Sequence, residues 1–444
     1  MSAPASPRNP MQTTPTAPGA RVLAAEVLRR VDRDDAFLAA ALNAELRSWP
    51  TLDPREASLA TALAFGTLRT QGWLDERLNA YAKKGVDGFP PKVRWHLRLA
   101  AYQLAFLSRV PASAAVNEAV RAAKREGGEP IARAVNAILR RVAKDLEGAP
   151  AAFGEAVWQS LPEAFRERLP REVCDALARD DEPPATGLRV RAGLDRAALA
   201  AAIAEERPAA TVTVGTLSPL ALNVRRAGVV ETLACVRDGR ALVQEEGSQV
   251  VGLAVGAQPG ERVLDACAGR GHKTSLLAEA VGPSGRVDAA DLHEKKLRVA
   301  ESDARALGHD LGLLAAVDWS AGAGPFGAGA YDRVLVDAPC SGSGTFVRRP
   351  EIARRFSEAK LAELVALQRA IALRCASLVR PGGTLVVATC SLFPEEGPEL
   401  AAYLRGALGF EPAELAVLRT HCATLSPVDH GTEGYSLAAF RRPG

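Results

Sequence analysis

The stretch RVLDACAGRGHKTSLLAEAV, residues 262–281, decides the fold. A short run of strand character ends at Asp265 and enters a glycine turn. The turn opens a segment whose apolar residues recur at helical spacing. Gly269 and Gly271 let backbone N–H groups approach a ligand at the start of that helix. A dinucleotide fingerprint would need a third glycine at the position of Thr274, so the turn argues against a nicotinamide cofactor. Towards the C-terminus the same alternation repeats: RVDAADL then EKKLRVAESDARALG, LGLLAAVD, DRVLVDAP then LAELVALQRAIALRCASLVR, and GTLVVATCS. This predicts an α/β Rossmann-like doubly wound domain over 246–444, built on a parallel sheet, with GYSLAAFRR able to add a late strand.

Towards the N-terminus the period changes twice. GLRVRAG, TVTVG and ALNV are short alternating runs broken by the helical piece DRAALAAAIAEE, which predicts a linker and small α+β subdomain over 149–245. Residues 20–148 read as helices with short breaks, an all-α bundle. PASAAVNEAVRAAKREGG opens at Pro111 and Ser113 and stops at a glycine pair. Residues 1–19, rich in Pro, Ser, Thr and Ala and without the apolar centre of a signal peptide, are expected to be a disordered tail.

Composition narrows the class. The 444 residues are 48% hydrophobic and 24% charged, enough for several packed cores, and no apolar run approaches a membrane span, so a cytoplasmic, soluble protein is expected. Seven cysteines contain no C-x-x-C pair, so no metal site is expected and the thiols should be reduced. Residues 1–150 hold 22 Lys and Arg against 15 Asp and Glu, whereas the remainder holds 33 against 37. A basic front half suits nucleic acid, although on charge alone a solvated helical surface is the favoured reading.

Five apolar runs end in chemically capable residues: Asp265-Ala266-Cys267, Asp291, Asp318, Asp337 through Cys340, and Thr389-Cys390. In an open parallel sheet these carboxyl ends face one crevice. One Asp after a strand is a common helix cap; five such endings in order indicate a shared site. Asp265-x-x-x-Gly269-x-Gly271 resembles the first motif of methyltransferases that use S-adenosylmethionine, and Asp291 lies at the distance expected for a ribose contact. Lys273 would hold the cofactor carboxylate or stand as a solvated first-turn lysine. Two cysteines and an acid at one sheet edge also suit a specific chemistry. A thiolate adding beside an unactivated ring carbon, such as C5 of cytosine, makes that carbon nucleophilic. Each cysteine alone would more often be a packing residue.

The chain resembles the bacterial ribosomal RNA cytosine-C5 methyltransferases of the Sun/RsmB type. The likeness is carried by VQEEGSQVVGLAVGAQPGERVLDACAG, VDAPCSGSGTFVRRPEI and ATCSLFPEEG. PASAAVNEAVRAAKREG and AVNAILRR resemble an N-terminal NusB-like RNA-binding domain. The resemblance implies that Cys390 is the nucleophile, that Cys340 assists product release, and that Asp337 contacts the cytosine. It implies S-adenosyl-L-methionine binding by Cys267, Ala268, Gly269, Arg270, Gly271, His272, Lys273, Asp291, Asp318 and Asp337. Arg348, Arg349 and Glu351 stand where that family approaches its RNA. The expected partner is ribosomal RNA, with the protein a monomer. The family's cofactor loop usually reads Cys-Ala-Ala-Pro-Gly-Gly-Lys-Thr. Arg270 here replaces the proline and His272 a glycine, so a positive φ at 272 would be strained. LRVRAG lacks the Asn-Thr usual after Arg-Val. The altered loop motivates a second reading, an RNA-binding or assembly factor that has lost catalysis; S-adenosylmethionine binding separates the two.

Overall fold

The computed structural model describes residues 18–49, 51–108, 110–148, 151–177 and 184–444; most of the expected tail lies outside them. The chain begins with α1 (Ala20–Arg33), α2 (Leu38–Ser48), α3 (Pro54–Arg69), α4 (Gln71–Asn79), α5 (Pro91–Phe106) and α6 (Ala112–Gly148). Their apolar stripes, including Leu23, Leu28, Leu63, Trp95, Tyr102 and Leu139, close on one core. Asp53 caps α3 by accepting from Arg55 N at 2.7 Å, with Pro54 at the first helical position. The run of α6 breaks at Gly128, φ 78°, two residues before Pro130, as the glycine pair predicts.

Three short helices follow that the sequence pattern does not reveal: α7 (Phe153–Ser160), α8 (Glu163–Arg166) and α9 (Arg171–Leu177). Segments of four to eight residues are too short to display a helical period. They join the bundle to the C-terminal sheet. Ala156 belongs to the bundle core, while Phe165 is buried and meets Phe346, Phe356 and Phe393 edge to face.

The small subdomain is an antiparallel sheet of order β2-β3-β1-β4, made of β1 (Thr186–Val190), β2 (Thr211–Val214), β3 (Ala221–Arg225) and β4 (Ala241–Val243). With it go α10 (Arg196–Glu206) and α11 (Ala234–Arg237). The next helix, α12 (Glu246–Ala254), leads into the C-terminal sheet.

That sheet comprises β5 (Arg262–Asp265), β6 (Arg286–Asp291), β7 (Leu314–Ala316), β8 (Tyr331–Asp337), β9 (Val379–Thr389), β10 (Glu411–Pro412), β11 (Cys422–Leu425) and β12 (Tyr435–Arg441). Helices α13 (His272–Val281), α14 (Glu294–Ala306), α15 (Glu351–Arg354), α16 (Glu358–Ala376) and α17 (Pro398–Leu408) connect the strands. The order is β10-β12-β9-β8-β5-β6-β7, with β11 also on β12. Strands β5 to β9 are parallel as expected. GYSLAAFRR forms β12, which runs antiparallel to β9 and makes the sheet mixed. Strand order reverses between β5 and β8, and ligand crevices form at such a switch. Among the described residues no helix is long and apolar enough to cross a membrane.

Candidate active site

The turn after β5 is shaped by glycine where glycine is needed. Gly269 has φ 57° and open space where a Cβ would stand. Gly271 has φ 83°, and a Cβ there would lie 2.6 Å from Ala300 Cβ. His272 is not a positive-φ position; it is the first residue of α13, so the strain expected from the missing glycine does not arise. Thr274, where a third glycine would have stood, donates from Oγ1 to Asp265 Oδ2 at 2.7 Å. Burial pushes the Asp265 carboxyl up to about 6, and its Oδ1 has no hydrogen-bond partner among the described residues. Asp291 accepts from Gly269 N at 3.1 Å and His293 N at 2.8 Å, and Lys296 Nζ stands 3.3 Å away. Ala268 is tied to β6 through Ala290 O at 2.8 Å. Arg270 is exposed, and the Cys267 thiol is pushed well up by burial.

Across the switch point Lys273 Nζ meets Asp337 Oδ2 at 2.6 Å, joining the first turn to the end of β8. Burial opposes the Lys273 ammonium, but Asp337 outweighs it and holds its pKa above the usual lysine range. Asp337 pairs in register with Ala388 of β9, two residues before Cys390. Asp318 is different. It is exposed and caps its own turn, accepting from Ser320 N at 2.9 Å and Ser320 Oγ at 2.6 Å. It stands just past β7, and no hydrogen bond or ion pair joins it to the other site residues.

The two thiols meet. Cys340 Sγ and Cys390 Sγ are 3.2 Å apart. A hydrogen bond from Cys340 lowers the Cys390 pKa, with Arg349 and Lys273 adding positive charge, while the same bond raises Cys340. The pair is therefore polarised: Cys390 is the more readily ionised thiol, and Cys340 is the donor to its thiolate form. The Cys340 loop is anchored by residues the sequence reading passed over. Buried Glu396 accepts from Ser341 N at 2.8 Å and from Ser341 Oγ. Gln368 Nε2 bridges Glu396 Oε1 at 2.8 Å and Pro339 O at 2.9 Å. Gly344 N donates to Cys390 O at 3.1 Å. Glu396 directly follows Glu395 in the sequence, and nothing in that pattern marks one of the two as buried.

Arg189 was also missed. It is buried in the LRVRAG strand and reaches across to α13, donating to His272 O at 3.2 Å and Ser275 Oγ at 2.9 Å. Of the three residues expected near RNA, Arg348 pairs with Glu433 and Glu351 is buried, accepting from Leu38 N of the bundle at 3.2 Å. Only Arg349 is exposed.

A family model described as 16S rRNA methyltransferase RsmB/F matches residues 253–440, and one for the NusB family matches residues 18–144. A probable ribosomal RNA small subunit methyltransferase B from Bacillus subtilis is 31% identical, covering 96% of this chain and 99% of its own length. A putative methyltransferase from Mycobacterium tuberculosis is 36% identical over 95% of this chain and 96% of its own. The chain belongs to the RsmB/F family of 16S rRNA methyltransferases. A solved structure, PH0851, shares the fold with a TM-score of 0.78 at 21% identity, covering 97% of this chain and all of that one.

As a member of that family the protein is an S-adenosylmethionine-dependent rRNA methyltransferase with a NusB-type helical region. The crevice fits such a cofactor. Gly269 leaves room for a ligand, Asp265 Oδ1 is a buried acceptor without a hydrogen-bond partner among the described residues, and the Asp291 carboxylate is held in place at the end of β6.

Proposed function

We propose that the protein methylates C5 of a cytosine in small-subunit ribosomal RNA through a covalent adduct at C6. The observation that carries this is the thiol pair, Cys340 Sγ and Cys390 Sγ 3.2 Å apart, with the Cys390 pKa lowered by its bond to Cys340. S-adenosylmethionine supplies an electrophilic methyl group; residues 267–273 with Asp291, Asp318 and Asp337 are proposed to hold it. Cys390 Sγ adds to C6, the electron pair moves to C5 and the ring nitrogen, and the nitrogen takes up a proton, the donor role proposed for Asp337. Once C5 carries the methyl, its proton passes to a base, the S–C6 bond breaks, the ring nitrogen returns its proton to Asp337 and the ring regains aromaticity. Cys340 stabilises the departing thiolate through the same hydrogen bond that lowers the Cys390 pKa.

The target base must leave its stack to reach this crevice, and residues 20–148 are proposed to grip the structured RNA. Residues 149–245 then serve as linker and subdomain, and 246–444 as the methyltransferase domain. Bisulfite sequencing of total RNA with and without the gene tests the assignment. One 5-methylcytosine lost from small-subunit rRNA is expected. An unchanged 5-methylcytosine map would overturn it.

A further inference from the structure

Phe37 is an aromatic side chain on the bundle surface that joins no hydrophobic core among the described residues. It is 50% exposed, in the turn between α1 and α2, while its neighbour Leu38 is fully buried. Two guanidinium groups from the segment after Cys340 lie over its ring, Arg349 at 5.5 Å and Arg355 at 5.9 Å from the centroid.

The two arginines are not equivalent. Arg355 is fixed, donating to Val31 O at 3.2 Å and Ala36 O at 3.1 Å and pairing with Asp35 at 3.1 Å. Arg349 is exposed, and among the described residues its guanidinium makes no ion pair or hydrogen bond. It is near enough to the thiol pair to act on the charge of Cys390. A cation and a half-exposed aromatic ring thus stand together, the ring supplied by the helical bundle and the cation by the segment that follows Cys340. Single-stranded RNA is recognised by stacking on aromatic rings and guanidinium planes, with arginine holding phosphate. A protein partner would need a contiguous apolar surface, and around Phe37 the structure offers arginines instead.

We propose that Phe37 and Arg349 form a stacking subsite for a nucleotide flanking the target base, so that the helical region takes part in presenting the substrate. The subsite rests on the RNA-methyltransferase reading but is tested without catalysis. The probe is an in vitro transcript of small-subunit rRNA, bound to the full chain in a gel shift at fixed salt. Phe37→Ala is expected to weaken binding about tenfold, the size of one lost base-stacking contact. Phe37→Trp should restore it, while Phe37→Leu, which keeps apolar bulk, should not. In transfer assays the loss should fall on KM and leave kcat within about twofold, with S-adenosylmethionine affinity unchanged. Equal binding by parent and Phe37→Ala, or full rescue by leucine, overturns the subsite. A parent that binds the transcript and transfers no methyl overturns the proposed reaction and leaves the subsite standing. A parent that does not bind it overturns both.

Discussion

Cys390 and Cys340 differ by the direction of one hydrogen bond, and that difference sets two predictions. Cys390→Ala should reduce methyl transfer to background. Cys340→Ala should instead accumulate a covalent protein–RNA species, visible as a retarded band on a denaturing gel, because the departing thiolate has lost its donor. The band should vanish in the double variant. The same bond fixes a pH dependence. The attacking form is the thiolate, so adduct formation rises as pH climbs through the Cys390 pKa, which lies below the ordinary thiol value. Removing the Cys340 donor raises that pKa. A hydrogen bond to a charged group is worth about 1.5–3 kcal/mol. Single-turnover adduct formation in Cys340→Ala should therefore need a higher pH than in the parent. An unshifted limb would mean that Cys340 does not polarise Cys390. In sequence the two thiols are legible as strand-end residues, but their roles are not. Pairing across β8 and β9 brings them to 3.2 Å, and the sequence separation of 50 residues conceals it.

At the scale of elements, strand ends are the readable part. Asp265, Asp291, Asp337 and Cys390 each close an apolar run, and parallel pairing of β5, β6, β8 and β9 brings those ends to one edge. Asp318 closes such a run too, yet its own turn engages one of its two carboxylate oxygens, Oδ1. Pattern reading gives the edge a residue occupies and says nothing of what its side chain bonds. What it could not give is the support beneath the Cys340 loop. A glutamate buried under a loop has the same letter as one in solvent, and Glu396 follows another glutamate. Its carboxylate takes two donors from Ser341 and one from Gln368, so Glu396→Ala leaves buried donors unpaired at about 1–3 kcal/mol each. Glu396→Gln keeps the volume and part of the network. It should lower the thermal midpoint less than alanine does, yet accumulate the covalent band even with Cys340 present, because the loop no longer holds that thiol in place. A stable Glu396→Gln protein with parental turnover would show that the loop needs no such anchor. Gly344 is a stricter constraint. A Cβ there would sit 2.1 Å from Gly434 O, so Gly344→Ala must displace the backbone that bonds Cys390 O.

At the scale of the molecule, the crevice and the bundle are joined by the segment that follows Cys340. Glu351 is buried and accepts from Leu38 N at 3.2 Å, Arg354 pairs with Asp32 at 3.2 Å, and Arg355 donates to two bundle carbonyls. The charge asymmetry of the sequence acquires a geometry here, since the basic helical half is fastened to the segment that follows Cys340. Two consequences separate fastening from contact. Glu351→Ala removes the acceptor from a buried N–H and frees the bundle to shift. It should raise KM for rRNA several-fold and lower the thermal midpoint, without changing S-adenosylmethionine affinity. Arg349→Ala breaks no ion pair within the described residues and should leave the midpoint alone. Its effect should appear in the salt dependence. Each phosphate neutralised by a basic side chain contributes a slope near one in a plot of log affinity against log salt. If Arg349 holds a phosphate, its alanine variant loses about one unit of that slope while Glu351→Ala keeps the parental value. A reduced slope in both variants would mean that the bundle, once unfastened, loses its own phosphate contacts, and that the interface at Glu351 sets the RNA footprint as a whole. An unchanged slope in Arg349→Ala would confine that arginine to its contact with Phe37 and its influence on Cys390.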